Sequence, residues 1–139
     1  MSTLPYSRVL DRLRSQPAGE VTLDLTPLVG VWVSTDKNTP GIARIQVNAD
    51  AGQLRLRVFC GGSAKLPDWG EASAAAFAID PASKQAVGFR AHYDFGSSKA
   101  MLAAYLNKRI LVVDAYKDLR DESGHARCFR RDHFYEEGQ

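Results

Sequence analysis

The chain has 139 residues, of which 45% are hydrophobic and 24% charged, values typical of one globular domain and not of a disordered or fibrous chain. Its formal net charge of +2, with both signs interleaved, is too small for a nucleic-acid surface held by counterion release. No stretch approaches the ~18 consecutive apolar residues of a membrane-spanning helix, so neither nucleic acid nor a membrane is an expected partner.

Residues 1–19 are predicted to form one short helix that packs on the domain behind it, although binding to a partner is the alternative. Four apolar side chains lie at i, i+3, i+4 and i+7 and form one stripe: Tyr6, Val9, Leu10 and Leu13. Charges at Asp11, Arg12 and Arg14 argue against a signal peptide. We therefore expect a cytoplasmic protein in which two distant cysteines, Cys60 and Cys128, stay as thiols and fill small buried spaces.

From residue 20 to residue 139 the sequence predicts a single all-β domain. Short runs of alternating apolar and polar residues are separated by turn residues. Eight strands are predicted, over residues 31–35, 41–48, 54–60, 72–79, 87–95, 100–106, 110–117 and 126–135. The connections are too short for parallel pairing, so the sheet must be an antiparallel meander. Eight twisted strands in a meander close most simply into an up-and-down barrel.

Two of these strands, residues 72–79 and 100–106, are rich in alanine, which favours helices. We predict strands because each run is short for a helix and its neighbours are strands. Alternate residues would face the interior, and both segments offer either an alanine set or a set with aromatic rings. Small residues there indicate free volume along one wall, lined by four rings: Phe77, Phe89, Tyr93 and Tyr105. The alternative is a filled core in which small side chains face large ones.

An open mouth is expected at the end of the barrel that carries the longest loop, residues 61–70. Hairpin parity gathers the loops after the first, third, fifth and seventh strands at this end, and the incoming helix can plug the other. Trp69 would stand on the rim of a cavity of roughly 300 Å³ or more, the lower end for ligand pockets. It would either contact a ligand or serve only as a packing anchor.

A short helix followed by Gly30-Val31-Trp32 at the start of an eight-stranded meander resembles the calycin superfamily of lipocalin-like and avidin-like barrels. This resemblance implies that Trp32 closes the barrel base and that a basic residue near the end of the last strand, Arg130 or Arg131, packs on it. Residues 32–36, 40–42 and 67–70 are also similar to a poorly characterised bacterial group. Cysteines that many members carry near residues 67–70 are replaced here, so no role for them carries over.

Motifs for phosphate, dinucleotide or metal binding are absent from the sequence, so no cofactor and no metal ion are expected. His92 shares parity with Arg90 and Asp94, which favours a solvated outer face. His133 lies in a cation-rich segment near the surface. The three histidines offer no pair with the spacing of metal ligands.

Asp114 is the most unusual charge, because it interrupts an apolar strand and shares parity with Ile110, Val112 and Tyr116. On an inner face it would be a buried carboxylate able to act as a general acid or base. The alternative is a structural ion pair with Arg127 or Arg130 on the last strand.

Three functional hypotheses follow. The first is a binding module that encloses a small hydrophobic or amphipathic molecule, with these ligand contacts: Trp32, Trp69, Phe77, Phe89, Tyr93, Tyr105, Tyr116 and Arg130. The second is a cofactor-free isomerase or cyclase for a natural-product intermediate, with Asp114 and Tyr93 as catalytic residues in the same cavity. The third is a packed barrel that acts through its surface or as a homodimer and exposes an apolar patch.

Overall fold

The alternating segments form the eight predicted strands, and the all-β fold class is confirmed. In a computed structural model, described over residues 22–62, 64 and 66–138, they make a closed antiparallel barrel in which each strand pairs with the next and the last with the first. The strands are β1 (Gly30–Ser34), β2 (Ile42–Asp50), β3 (Gln53–Cys60), β4 (Asp68–Ala78), β5 (Ala86–Asp94), β6 (Ser98–Asn107), β7 (Ile110–Asp121) and β8 (Gly124–Glu136).

The chain before β1 is described only from Thr22, so the helix predicted over residues 1–19 lies outside the described residues. A single 3-10 turn, Thr26–Leu28, leads into β1 and buries Leu28 completely. No helix in the described ranges has the length and apolar character to cross a membrane.

The two alanine-rich segments are strands, as predicted, and most of their alanines face inward. On β6, Ala100 and Ala104 are buried, whereas Tyr105 is exposed. On β4, Ala74 is buried and Phe77 is 46% exposed. The prediction that Phe77 and Tyr105 line the interior is therefore wrong, because the small residues take the inner positions.

Below the mouth the barrel interior is filled by large side chains that oppose these alanines, as in the alternative of small residues facing large ones. The largest fully buried side chains come from most of the strands: Phe89, Phe134, Ile45, Leu54, Leu56, Leu102 and Leu111. Phe89 lies in this packed core and not on the wall of an open cavity.

Trp32 lies in the core beside the 3-10 turn, and its indole Nε1 donates a 3.0 Å hydrogen bond to the carbonyl of Leu28. The resemblance implies that Arg130 or Arg131 packs on Trp32, but the residue opposite Trp32 in β8 is Glu136. Arg130 and Arg131 lie earlier on that strand and donate hydrogen bonds to Asp132 and Asp114, respectively. Neither of the two arginines that the resemblance implies therefore lies beside Trp32 in the sheet.

Strand β1 is much shorter than the strand that it closes against. It pairs with β8 over three residues, from Ser34 opposite Phe134 to Trp32 opposite Glu136. Strand β7, in contrast, pairs with β8 from Ile110 to Asp121. Within the described ranges, residues 124–132 of β8 therefore have β7 as their only neighbouring strand.

We expect Phe89→Ala to destabilise the protein by about 3–5 kcal/mol, since a buried ring leaves a cavity. Phe77→Ala removes the same atoms from the outer face of β4 and should change the free energy of unfolding by less than about 1 kcal/mol. Urea denaturation of the two variants measures both values. Equal losses would contradict the assignment of inner and outer faces.

Candidate functional site

The Pro-Asp-Trp-Gly segment, residues 67–70, turns the Trp69 side chain into the barrel. The Asp68 carboxylate accepts hydrogen bonds from the Gly70 amide at 2.8 Å and from Arg57 Nε at 3.2 Å. The Arg57 guanidinium lowers the pKa of Asp68. Gly70 has φ +80°, a left-handed conformation that suits glycine. These contacts make the segment the start of β4, although the sequence analysis assigned it to a loop.

Three aromatic rings, from β4, from β5 and from the residue that follows β5, meet inside this end of the barrel, and we name them the aromatic cluster: Trp69, Tyr93 and Phe95. The Trp69 ring meets the Tyr93 and Phe95 rings edge-on, each at a centroid distance of 5.3 Å. Tyr93 and Phe95 are stacked at 5.7 Å. Edge-to-face and stacked pairs at these distances are favourable beyond their buried area, so the cluster forms a rigid apolar wall.

Tyr93 is fixed by its hydroxyl group, which donates a 3.0 Å hydrogen bond to the carbonyl of Gly70. Burial raises the pKa of Tyr93 to about 12, and the charges of Asp68 and Glu71 act in the same direction. The phenol therefore stays protonated over the physiological range and is engaged by the backbone. Tyr93 can therefore offer a ligand the apolar face of its ring, but its hydroxyl is not placed to transfer a proton.

A cavity of about 530 Å³ opens beside the aromatic cluster at the end of the barrel where the mouth was expected. We name it the mouth cavity. Its lining combines apolar residues with several charged ones: Pro40, Cys60, Ala64, Leu66, Trp69, Phe95, Ser97, Ser98, Lys99, Ala100, Lys117, Leu119, Arg120 and Asp121. Its volume lies within the range of small-molecule sites.

Lys117 is the charge that reaches into the mouth cavity from β7. It shares the inward parity of Val113 and Ala115, and its ammonium nitrogen lies 5.2 Å from the centroid of the Trp69 ring. This is a cation–π contact. In the described part of the chain no carboxylate lies within ion-pair distance of Lys117.

Two free thiols border this region. Cys60 is half-buried in the mouth cavity, and burial raises its pKa, while the nearby Lys117 charge and the Trp69 indole oppose that shift. Cys128 is exposed on β8, so the expectation that both cysteines fill buried spaces is wrong for Cys128. It lies beyond the stretch of β8 that β1 covers, which explains its exposure.

A side cleft of about 390 Å³ adjoins the mouth cavity and shares Pro40, Lys117 and Leu119 with it. Arg130 crosses this cleft. Its Nε bonds to the carboxylate of Asp132 at 2.9 Å, and a terminal nitrogen bonds to Thr39 Oγ1 at 3.2 Å. The guanidinium is thus already neutralised, unlike the ammonium of Lys117.

Asp114 lies on the outer face of β7, where Arg131 binds it through two nitrogens at 2.6 and 2.9 Å. The Arg131 guanidinium lowers the pKa of Asp114. A structural ion pair is therefore found, but its partner is Arg131 and not the expected Arg127 or Arg130. Tyr116 also faces outward, so neither residue reaches the mouth cavity.

The structure therefore brings together Trp69 and Tyr93 from the predicted set and adds Phe95, Lys117 and Cys60. Trp32 and Phe89 lie in the packed core, whereas Phe77, Tyr105, Tyr116 and Asp114 face outward. In the ranges that the structure covers, no group of three or more His, Cys, Asp or Glu side chains could hold a metal ion.

Comparisons with known proteins add no relative: no family model matches the chain, and no curated protein or solved structure is significantly similar to it. The closed barrel of eight antiparallel strands is compatible with a calycin-like fold. That fold is compatible with ligand binding, since eight-stranded barrels can enclose a small molecule.

The raised pKa of Tyr93 predicts an alkaline effect on stability. Its folded-state pKa of about 12 exceeds the ordinary value of 10.0, so the stabilisation is complete below pH 10 and is lost as the pH rises toward 12. Tyr93→Phe should reduce that pH dependence and leave the part due to the Cys60 thiol, whose pKa burial also raises; the measurement is the free energy of unfolding between about pH 8 and pH 12.

Tyr105→Phe is the matched control, because Tyr105 is 46% exposed and should leave the alkaline loss of stability intact. An unchanged alkaline dependence in Tyr93→Phe would contradict the burial of this phenol.

Proposed function

We propose that this chain is a calycin-type barrel that binds a small amphipathic molecule in the mouth cavity. The observation that carries the proposal is the Lys117 ammonium beside the Trp69 ring, on the wall of a cavity of about 530 Å³. Lys117 is half-buried and has no carboxylate within ion-pair distance among the described residues, and a charge partly removed from water gains when a ligand supplies a counter-ion.

The aromatic cluster supplies the apolar half of the site. Its rings are held in place by mutual contacts and by the Tyr93 hydrogen bond to Gly70, so a ligand need not order them. Removing ~100 Å² of apolar ligand surface from water against such a wall contributes about 2.5 kcal/mol. Several such contacts are needed, which favours a molecule large enough to cover Trp69 and Phe95.

Lys117 supplies the polar half. Lys99 and Arg120 also line the mouth cavity, but Lys117 is the cation that lies against the Trp69 ring, where it can meet an anionic or strongly accepting group of the ligand. A charge-assisted hydrogen bond to such a group is roughly twice as strong as a neutral one. The ligand class that fits best is therefore an apolar body with one acidic group.

The outer position of Asp114 favours binding over the isomerase or cyclase alternative. That hypothesis assigned the acid–base roles inside the cavity to Asp114 and Tyr93. Asp114 is held by Arg131 on the outside, and the Tyr93 proton is engaged by a backbone carbonyl. We also retain the cytoplasm as the expected compartment, in keeping with two free thiols.

The test compares an anionic and a neutral fluorescent probe, anilinonaphthalene sulfonate and Nile red, in titrations of the protein. Lys117→Met should weaken binding of the sulfonate probe by about tenfold, since it removes the charge-assisted contact. Binding of the neutral probe should stay within about twofold, because the aromatic cluster is unchanged. Quenching of tryptophan fluorescence that is lost in Trp69→Phe reports occupancy of the mouth cavity, because the second tryptophan, Trp32, lies in the core.

Lys37→Met is the matched control, because Lys37 is exposed in the loop between β1 and β2 and should leave both affinities unchanged. Failure of both probes to bind the unmodified protein would overturn the proposed function. An equal loss of both probes in Lys117→Met would overturn the role of the ammonium. Native mass spectrometry of protein from its own host should show a co-purifying small acid.

A further inference from the structure

The outer surface of β5–β8 carries an apolar row that nothing in the described part of the chain covers. Strand register places four side chains side by side across the sheet: His92, Met101, Tyr116 and Phe129. Tyr116 and Phe129 are 44% and 55% exposed, and their rings are 5.1 Å apart. Contiguous exposed rings of this kind mark an interaction surface.

A second row, of charged residues, lies next to the apolar row toward the mouth. Its four members alternate in sign across the strands: Asp94, Lys99, Asp118 and Arg127. A groove of about 560 Å³ runs beside both rows and is lined by members of each. The two rows therefore form one surface with an apolar half and a charged half.

The two cations of the charged row form no ion pair with another described residue. In the described residues, neither Lys99 nor Arg127 lies within ion-pair distance of a carboxylate, although each has an acidic cross-strand neighbour. Asp118 is bound by His125, and the Asp94 carboxylate accepts a hydrogen bond from the Gly96 amide at 2.9 Å. Both cations therefore remain available to another molecule.

The order of signs makes the charged row complementary to itself. The row runs negative, positive, negative, positive from β5 to β8. Reversing it therefore puts an opposite charge at every position. A two-fold axis that runs along the strands between β6 and β7 reverses the row. It places Asp94 opposite Arg127 of a second copy and Lys99 opposite Asp118 of that copy. All four charges of each copy then meet an opposite charge.

The same axis lays the apolar row on itself, with Met101 opposite Tyr116 of the second copy. One like-charge approach remains, between Arg90 and Arg131 of the second copy. Both cations are already engaged, because Asp114 binds Arg131 and the Phe77 ring lies 5.5 Å from the Arg90 guanidinium. An axis across the strands, in contrast, would bring Asp118 against Asp114 and Arg127 against Arg131.

We propose that two copies of this chain associate face to face through the outer surface of β5–β8, with the apolar rows in contact and the charged rows paired. Such an interface is isologous, and aligned sheet packing is its expected geometry. The groove on this surface shares Lys99, Ala100 and Lys117 with the lining of the mouth cavity, so the interface reaches the edge of that cavity.

The test uses two charge reversals that are complementary only between copies. Arg127→Asp and Asp94→Arg each put like charges at both symmetric contacts, so each variant alone should dimerise at least about tenfold more weakly in sedimentation velocity. An equimolar mixture of the two variants restores opposite charges at both contacts. It should form a heterodimer with affinity within about threefold of the unmodified dimer, since the same attractive pairs re-form.

Arg55→Asp is the control, because Arg55 is exposed on β3, outside this surface, and should leave the dimer unchanged. Thermal unfolding of each variant at low concentration checks that Asp94→Arg folds without its bond to Gly96. A monomer at every concentration would overturn the proposal. So would a dimer that both reversals leave intact, or one that the mixture fails to restore.

Discussion

The barrel is a ring because a five-residue strand, β1, completes the sheet against the end of β8. This closure divides every strand into side chains that fill the interior and side chains that meet water or another molecule. The aromatic cluster and Lys117 lie on the inner side, whereas Asp114 and Tyr116, which precede Lys117 on the same strand, lie outside. Whether a side chain of this barrel can reach the mouth cavity therefore depends on its odd or even position along the strand more than on its residue type.

The mouth cavity exists because the interior is filled unevenly. Toward the base, large aliphatic and aromatic side chains face the alanines of β4 and β6 and leave a packed core. Toward the mouth, the described residues supply three rings that pack on one another and the ammonium of Lys117, and a cavity stays open beside them. Asp68 and Arg57 fix the start of β4, so the position of Trp69 is set from outside the cavity by an ion pair.

Turn residues and alternation were sufficient to predict all eight strands, because Gly, Pro, Asp and Asn separate runs with clear period two. They were not sufficient to assign faces. On β7, Ile110 to Val113 are apolar at every position, so the sequence did not show which alternate residues face the interior. Asp114 was therefore proposed as an inward-facing residue, and Lys117 was not proposed. On β4 the large Phe77 was predicted to face the interior, yet large side chains of β2 and β3, such as Ile45 and Leu56, fill that space. Trp69 was placed in a loop because Pro67 and Gly70 flank it.

Among the described residues, β8 extends beyond β1 near the mouth and has no strand on that side. The carbonyl of His133 accepts a hydrogen bond from the amide of Thr35, and backbone direction alternates along a strand, so the amides and carbonyls of Arg127, Phe129 and Arg131 point to the side where no described strand pairs with β8. Such an edge is a template for uncontrolled strand addition. Arg127, Arg130, Arg131 and Asp132 place charged side chains along this edge, and charges on an edge strand oppose such addition.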